Sequence, residues 1–108
     1  MFVVVWEFTV DPAHRADFDR AYGTDGDWAR LFRRCAGYVA TELLYDAEQP
    51  ERCLTLDYWR LPDHYVAGMA RIAADYQALD ARCAALTGTS RPGTRPPRLT
   101  YSRSCSLS

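Results

Sequence analysis

Several side chains able to do chemistry fall close together in one stretch, CLTLDYWRLPDHY, from Cys53 to Tyr65. Cys53, Thr55, Asp57 and Trp59 recur at every second position, so on a strand they share one face. A carboxylate on that face, partly desolvated, could act as a general base, because burial disfavours its charged form. The same Asp57 could equally be held in a salt bridge by a nearby Arg. His64 and Tyr65 follow just after Pro62. Imidazole is the side chain whose ordinary pKa lies nearest neutrality, which makes His64 a second candidate base unless it simply faces solvent. The Tyr65 hydroxyl could donate to a substrate oxygen, and the Trp59 indole could line a pocket or pack as core. Upstream, Trp28 and Phe32 are four residues apart and could form an outer aromatic wall, although helical spacing also suits plain core. His14, the other histidine, belongs to the first turn of a helix and reads as surface.

The elements that must position these residues can be read from hydrophobic period. Phe2 to Val10 (FVVVWEFTV) is β-branched and aromatic. One of its faces is wholly apolar and the other partly so, as for a strand buried on both sides. Asp11-Pro12 is an N-cap followed by a first-turn proline, and the spacing predicts a helix to about Tyr22 with Phe18, Ala21 and Tyr22 facing the core. Gly23 to Gly26 interrupts it. Thr24 and Asp27 resemble a capping box that restarts a second segment, whose stripe is Trp28, Leu31, Phe32 and Cys35, ending near Gly37. Tyr38–Tyr45 and Cys53–Arg60 read as an antiparallel pair joined by a charged, proline-containing loop. Pro62 then opens one long helix with the stripe Tyr65, Met69, Ile72, Tyr76, Leu79, Cys83, Leu86, and Gly88 marks its end. The order β-α-β-β-α predicts an α+β ferredoxin-like sandwich with both helical layers on one sheet face. Only 98–101 offers a fourth strand, a weak one. The open sheet face needs a cover, and a second copy of the chain is the natural one.

Composition narrows the function classes. The chain has 108 residues, 48% hydrophobic and 25% charged, with a net charge of −1, which fits one soluble domain. All thirteen basic residues are Arg, and there is neither Lys nor Asn. Without Lys there is no Schiff-base chemistry and no P-loop. Residues 1–86 hold nine Arg and fourteen acids, a balance of −5, whereas 87–108 hold four Arg and no acid. That second stretch, rich in Ser, Thr, Pro and Gly, reads as a partly flexible basic tail outside the core. Its only ring is Tyr101, too few for stacking on single-stranded nucleic acid, so no nucleic-acid partner is expected. The four cysteines (Cys35, Cys53, Cys83, Cys105) form no CxxC pair, and no apolar run is long enough for a membrane span. A cytoplasmic protein with free thiols and no bound metal is expected.

Residues 1–86 resemble the antibiotic biosynthesis monooxygenase family of dimeric α+β barrel proteins. The features that carry the resemblance are the opening VVVWEFTVDP, the Gly37-Tyr38 start of the second strand, and LTLDYWRLPDHY at the third-strand-to-helix junction. The resemblance implies a homodimer and one of two chemistries. One is oxidation of an electron-rich aromatic polyketide by dioxygen without any cofactor; the other is haem degradation. Trp59 stands where both branches place a pocket Trp, and Tyr65 where the polyketide branch has a pocket Tyr. Thr55 stands where that branch has Asn, and its helix Arg would fall near Leu79, with Arg82 the nearest candidate. The haem branch requires an Asn where Trp6 stands and a His near Met69, which disfavours haem degradation.

The resulting expectation is a cofactor-independent monooxygenase of a small aromatic or polyketide-like compound. Trp59, Tyr65, Trp28, Phe32 and Thr55 would line the site, with His64 or Asp57 as base. The alternative is a non-catalytic dimeric domain of the same fold that binds a small molecule or a partner. A cavity of roughly 300 Å³ or more against Trp59 and Tyr65 favours the enzyme, whereas a space filled by Trp28, Phe32 and Met69 favours the alternative.

Overall fold

Strand β1, Phe2–Thr9, lies inside a four-stranded antiparallel sheet of order β2-β3-β1-β4. The other strands are β2 (Tyr38–Tyr45), β3 (Arg52–Trp59) and β4 (Leu99–Ser102). The computed structural model describes residues 1–86 and 99–102. As the doubly apolar pattern requires, β1 is buried on both faces: Val3 and Val5 on one, Val4, Trp6 and Phe8 on the other. The second set faces the helices and joins Phe18, Tyr22, Trp28, Phe32, Ile72 and Leu79 in one core. This is the β-α-β-β-α ferredoxin-like α+β sandwich expected from the sequence, completed by a fourth strand that pairs with β1 from Leu99 to Ser102. The rest of the basic tail, and with it the expectation of flexibility there, lies outside the described residues.

The helical layer differs in detail from the sequence expectation. Asp11 caps as predicted, its carboxylate accepting from the Ala13 N–H at 3.0 Å, but the turn it opens, Pro12–His14, is 3₁₀. Helix α1 follows over Arg15–Tyr22. Helix α2 is Asp27–Phe32 with Gly26 as its N-cap and no side-chain cap bond, so the Thr24–Asp27 box does not form. The Gly26 N–H instead bonds to the Gly23 carbonyl, a backbone turn that displaces the side-chain cap. Its stripe nevertheless holds, because Trp28, Leu31, Phe32 and Cys35 are all buried.

The long final helix is two: α3 (Pro62–Arg71) and α4 (Ala73–Cys83), broken where Ile72 leaves helical geometry at φ −106°, ψ 18°. A 3₁₀ turn, Ala84–Leu86, ends the second. The period of the stripe explains the break. Steps of four and three average 3.5 residues, and a straight helix drifts about 20° per heptad against such a repeat. A coiled coil absorbs the drift by supercoiling; here the break at buried Ile72 keeps Leu79 and Cys83 turned inward. The sheet face away from the helices carries exposed Leu44 and half-buried Leu54, Leu56 and Tyr58. No helix among the described residues is long and apolar enough to cross a membrane.

Candidate functional site

Three strands converge at the C-terminal end of β3. Thr55, Asp57 and Trp59 face the helices, opposite Trp6, Val4 and Phe2 of β1 on one side and Leu43, Thr41 and Tyr38 of β2 on the other. Trp59 is fully buried. Its ring lies 5.4 Å from Tyr38, 5.5 Å from Tyr65 and 5.7 Å from Phe32, and Phe2 continues the group at 5.7 Å from Tyr65. Helix α3 can approach this closely because Gly68 faces the indole: a Cβ there would stand 3.3 Å from Trp59 and 3.0 Å from the Cys35 sulfur. Trp28 packs on Tyr22, Phe32 and Tyr76, and so meets the Trp59 group through Phe32.

Asp57, 4% exposed, anchors the polar side of this aromatic box. The Thr41 hydroxyl donates to its Oδ1 at 2.8 Å, and the Tyr38 hydroxyl lies 2.7 Å from Thr41 Oγ1. A threonine hydroxyl has a single proton. Since Thr41 gives its proton to Asp57, Tyr38 must be the donor to Thr41, and the polarity of the chain is fixed as Tyr38 to Thr41 to Asp57. Burial pushes the Tyr38 phenol above its ordinary value; its hydrogen bond with Thr41 pulls the other way, and the Asp57 charge adds to the rise. More distant Arg33 lowers it and Asp25 raises it.

His64 is packed on the backbone of Gly37, the residue before Tyr38. Gly37 has φ +86°, and a Cβ there would overlap the imidazole. The His64 Nδ1, the Thr55 Oγ1 and the Trp59 Nε1 are buried with no hydrogen-bond partner. Each such group costs about 1–3 kcal/mol if left unsatisfied, so each suits water or a ligand with polar atoms. The structure thus brings Trp59, Tyr65 and Phe32 together, links Asp57 to them through Thr41 and Tyr38, places Thr55 further along the same strand face, puts His64 against Gly37 at the edge, and leaves Trp28 one ring behind.

Two site residues, Tyr38 and Thr41, were not singled out from the sequence. Strict alternation places positions 38 and 41 on opposite faces, but a bulge between Tyr38 and Ala40 resets the register so that both face Asp57 and Trp59. A cavity of about 400 Å³ lies elsewhere, as an open groove between α2 and α4 lined by Asp27, Arg30, Leu31, Arg34 and Asp75 among others, and it touches neither Trp59 nor Tyr65. Two of its arginines are held in place, Arg30 by Asp27 and Arg34 by Asp75.

Among the described residues no three His, Cys, Asp or Glu side chains gather as a metal site. Cys35, Cys53 and Cys83 are free and buried. Burial pushes the Cys53 thiol up to about 12, with the Asp19 charge adding to it, which makes it a poor nucleophile.

No family model matches the chain, and no curated protein matches it. Solved structures do. A candidate antibiotic biosynthesis monooxygenase from Deinococcus radiodurans superposes with a TM-score of 0.70 at 16% identity, over 100% of this chain and 97% of that one. SnoaB, a cofactor-independent oxygenase from Streptomyces nogalater, in a mutant form, gives 0.63 at 23% identity, over 98% and 95%. The monooxygenase ActVA-Orf6 of Streptomyces coelicolor, in complex with nanaomycin D, gives 0.64 at 18% identity, over 98% and 89%. At these identities the likeness is one of fold: the chain has the ferredoxin-like α+β architecture of these proteins over nearly its whole length.

Proposed function

We propose that the protein is a cofactor-independent monooxygenase that oxidises a small, electron-rich aromatic compound with dioxygen. The observation that carries this reading is the buried carboxylate of Asp57 at the end of a hydroxyl chain whose first member, Tyr38, packs on the Trp59 ring, with unpartnered polar atoms on Thr55, Trp59 and His64. A phenolic substrate needs little else. Its rings stack among Trp59, Tyr65 and Phe2, polar atoms of Thr55 and Trp59 bind its oxygens, and removal of its proton yields a phenolate that supplies electrons to dioxygen. One oxygen atom stays on the ring as a quinone carbonyl; the other leaves as water with two substrate hydrogens. Exclusion of water by the surrounding rings keeps reactive oxygen species from escaping. SnoaB and ActVA-Orf6, oxygenases of the same fold, support the reading. Oxygen uptake with a panel of anthrones and hydroquinones tests it: uptake by the native chain that is lost in Trp59→Ala is expected, and no turnover above that control across the panel overturns it.

The working unit under this reading is a homodimer in the cytoplasm. The partly apolar sheet face of Leu44, Leu54, Leu56 and Tyr58 is the surface a second copy would cover, as in a dimeric α+β barrel. Sedimentation of a single monomeric species at micromolar concentration would refute the dimer.

One observation favours a second reading. Trp59 is fully buried by its neighbours, so a ligand enters only if half-buried Tyr65, Phe2 or Met69 moves aside. A domain that never opens this way is a non-catalytic binding domain, with the partner taken up elsewhere. Binding of a hydroquinone that quenches Trp59 fluorescence, without oxygen uptake, would establish that reading instead.

A further inference from the structure

We propose that the base at this site is a relay in which Asp57 withdraws a substrate proton through Thr41 and Tyr38 rather than by direct contact. The inference rests on the oxygenase reading for its substrate, and on geometry for its order. Asp57 is 4% exposed and lies beneath the sheet-to-helix packing, whereas Tyr38 is half-buried, with its ring against Trp59. A phenolic substrate stacked on Trp59 therefore meets Tyr38 first. The two hydrogen bonds, 2.7 Å and 2.8 Å, are short enough for concerted transfer and run in one direction. The substrate O–H bond breaks and its proton passes to Tyr38 Oη. The Tyr38 proton moves to Thr41 Oγ1, and the Thr41 proton moves to Asp57 Oδ1. The products are a phenolate, two regenerated hydroxyls and a neutral carboxylic acid, so atoms and charge balance with no added reactant. Asp57 is the terminal acceptor; Thr41 and Tyr38 carry the proton.

Nothing in this arrangement requires His64, whose Nδ1 is buried without a partner while its ring packs on Gly37. The groups acting on Tyr38 are Thr41 from β2 and Asp57 from β3, with Arg33 just after α2 and Asp25 in the turn before it. Arg33 and Asp25 are ion-paired to each other at 2.5 Å, and the Asp25 side chain is 85% exposed.

Two arms test the relay. The first needs no substrate. With ¹³Cζ-labelled tyrosine, and Tyr38→Phe to assign the resonance, the Tyr38 signal is followed across acid pH. The relay predicts an inflection as Asp57 titrates, present in the native chain, in Thr41→Ser and in Asp25→Asn, absent in Asp57→Asn and weakened in Thr41→Val. An inflection unchanged by Thr41→Val, or absent from the native chain, overturns the relay. The second arm uses any substrate the oxygen-uptake panel identifies. Thr41→Val and Asp57→Asn are expected to lower kcat about 100-fold or more, the usual scale of general-base catalysis, with Thr41→Ser restoring the rate. A Thr41→Val enzyme with native kcat overturns the relay while leaving the oxygenase intact. A panel without turnover overturns the oxygenase while the first arm still decides the hydrogen-bonded chain.

Discussion

Replacing Gly37 by Ala probes how the edge of the site is held. Gly37 sits at φ +86°, left-handed geometry that an L side chain adopts at a cost of about 1–2 kcal/mol. The new Cβ would also overlap the His64 ring, and forcing extra volume into a packed contact costs about 1–3 kcal/mol more. Gly37→Ala is therefore expected to destabilise by about 2–5 kcal/mol, a large share of the roughly 5–15 kcal/mol available to a domain. His64→Ala alone should cost about 1 kcal/mol or less, since the lost packing is offset by removing a buried, unpartnered nitrogen. In the double variant only the backbone part of the Gly37 penalty remains. The two substitutions should then be less than additive by about 1–3 kcal/mol, far outside the roughly 0.3–0.5 kcal/mol scatter of independent sites. Urea unfolding of the four proteins, followed by far-ultraviolet circular dichroism, measures the coupling. Additivity within about 0.5 kcal/mol would show that His64 does not pack on Gly37, and the account of that edge would be wrong.

Trp59→Ala is expected to cost about 3–5 kcal/mol in the same assay, whereas Trp59→Phe should cost clearly less, because Phe keeps a ring against Tyr38, Tyr65 and Phe32 and the N–H it loses has no partner. Equal losses for the two would contradict the ring packing around Trp59. At alkaline pH the fold should weaken. Burial, with the nearby Asp19 carboxylate, raises both Cys53 and Tyr45 to about 12, so the folded chain keeps protons that the unfolded chain releases from about pH 9 and 10 upward. Stability from these groups is fully present below that window and is lost as pH rises through about 12. The urea midpoint should fall across it, and Tyr45→Phe should flatten the upper part; a midpoint constant to pH 12 refutes the assignment. The buried thiols Cys35, Cys53 and Cys83 should resist a thiol reagent in the native state and react on unfolding. Rapid native labelling of all three would contradict their burial.

The parts of the fold written in hydrophobic period were legible. The double apolar pattern of β1, the stripe of Trp28, Leu31, Phe32 and Cys35, and the i, i+2, i+4 spacing of Thr55, Asp57 and Trp59 all place residues by local geometry, and the structure puts them accordingly. What escaped depends on irregularity or on distant partners. The bulge at Val39 turns Tyr38 toward Thr41, and no residue there signals it, since a bulge is set by the ladder around it. The break at Ile72 resolves a mismatch between a 3.5-residue stripe and a 3.6-residue helix that has nothing to supercoil around. The Thr24–Asp27 box has the right residues, yet the backbone turn at Gly23–Gly26 supplies the bond first. Trp59 and Tyr65 could be picked as neighbours from the strand-to-helix junction, but the hydroxyl chain to Asp57 is visible only once β2 is laid beside β3.

Oxygen consumption is the most direct test of the central claim that the site around Trp59 and Asp57 oxidises a small aromatic compound without a cofactor. The native chain, purified free of flavin and metal, should consume one dioxygen per quinone formed from at least one anthrone or hydroquinone, with ¹⁸O from the gas appearing in the product. That turnover should vanish in both Trp59→Ala and Asp57→Asn. Oxygen uptake that persists in both variants, or is absent from the native chain across the whole panel, would contradict it.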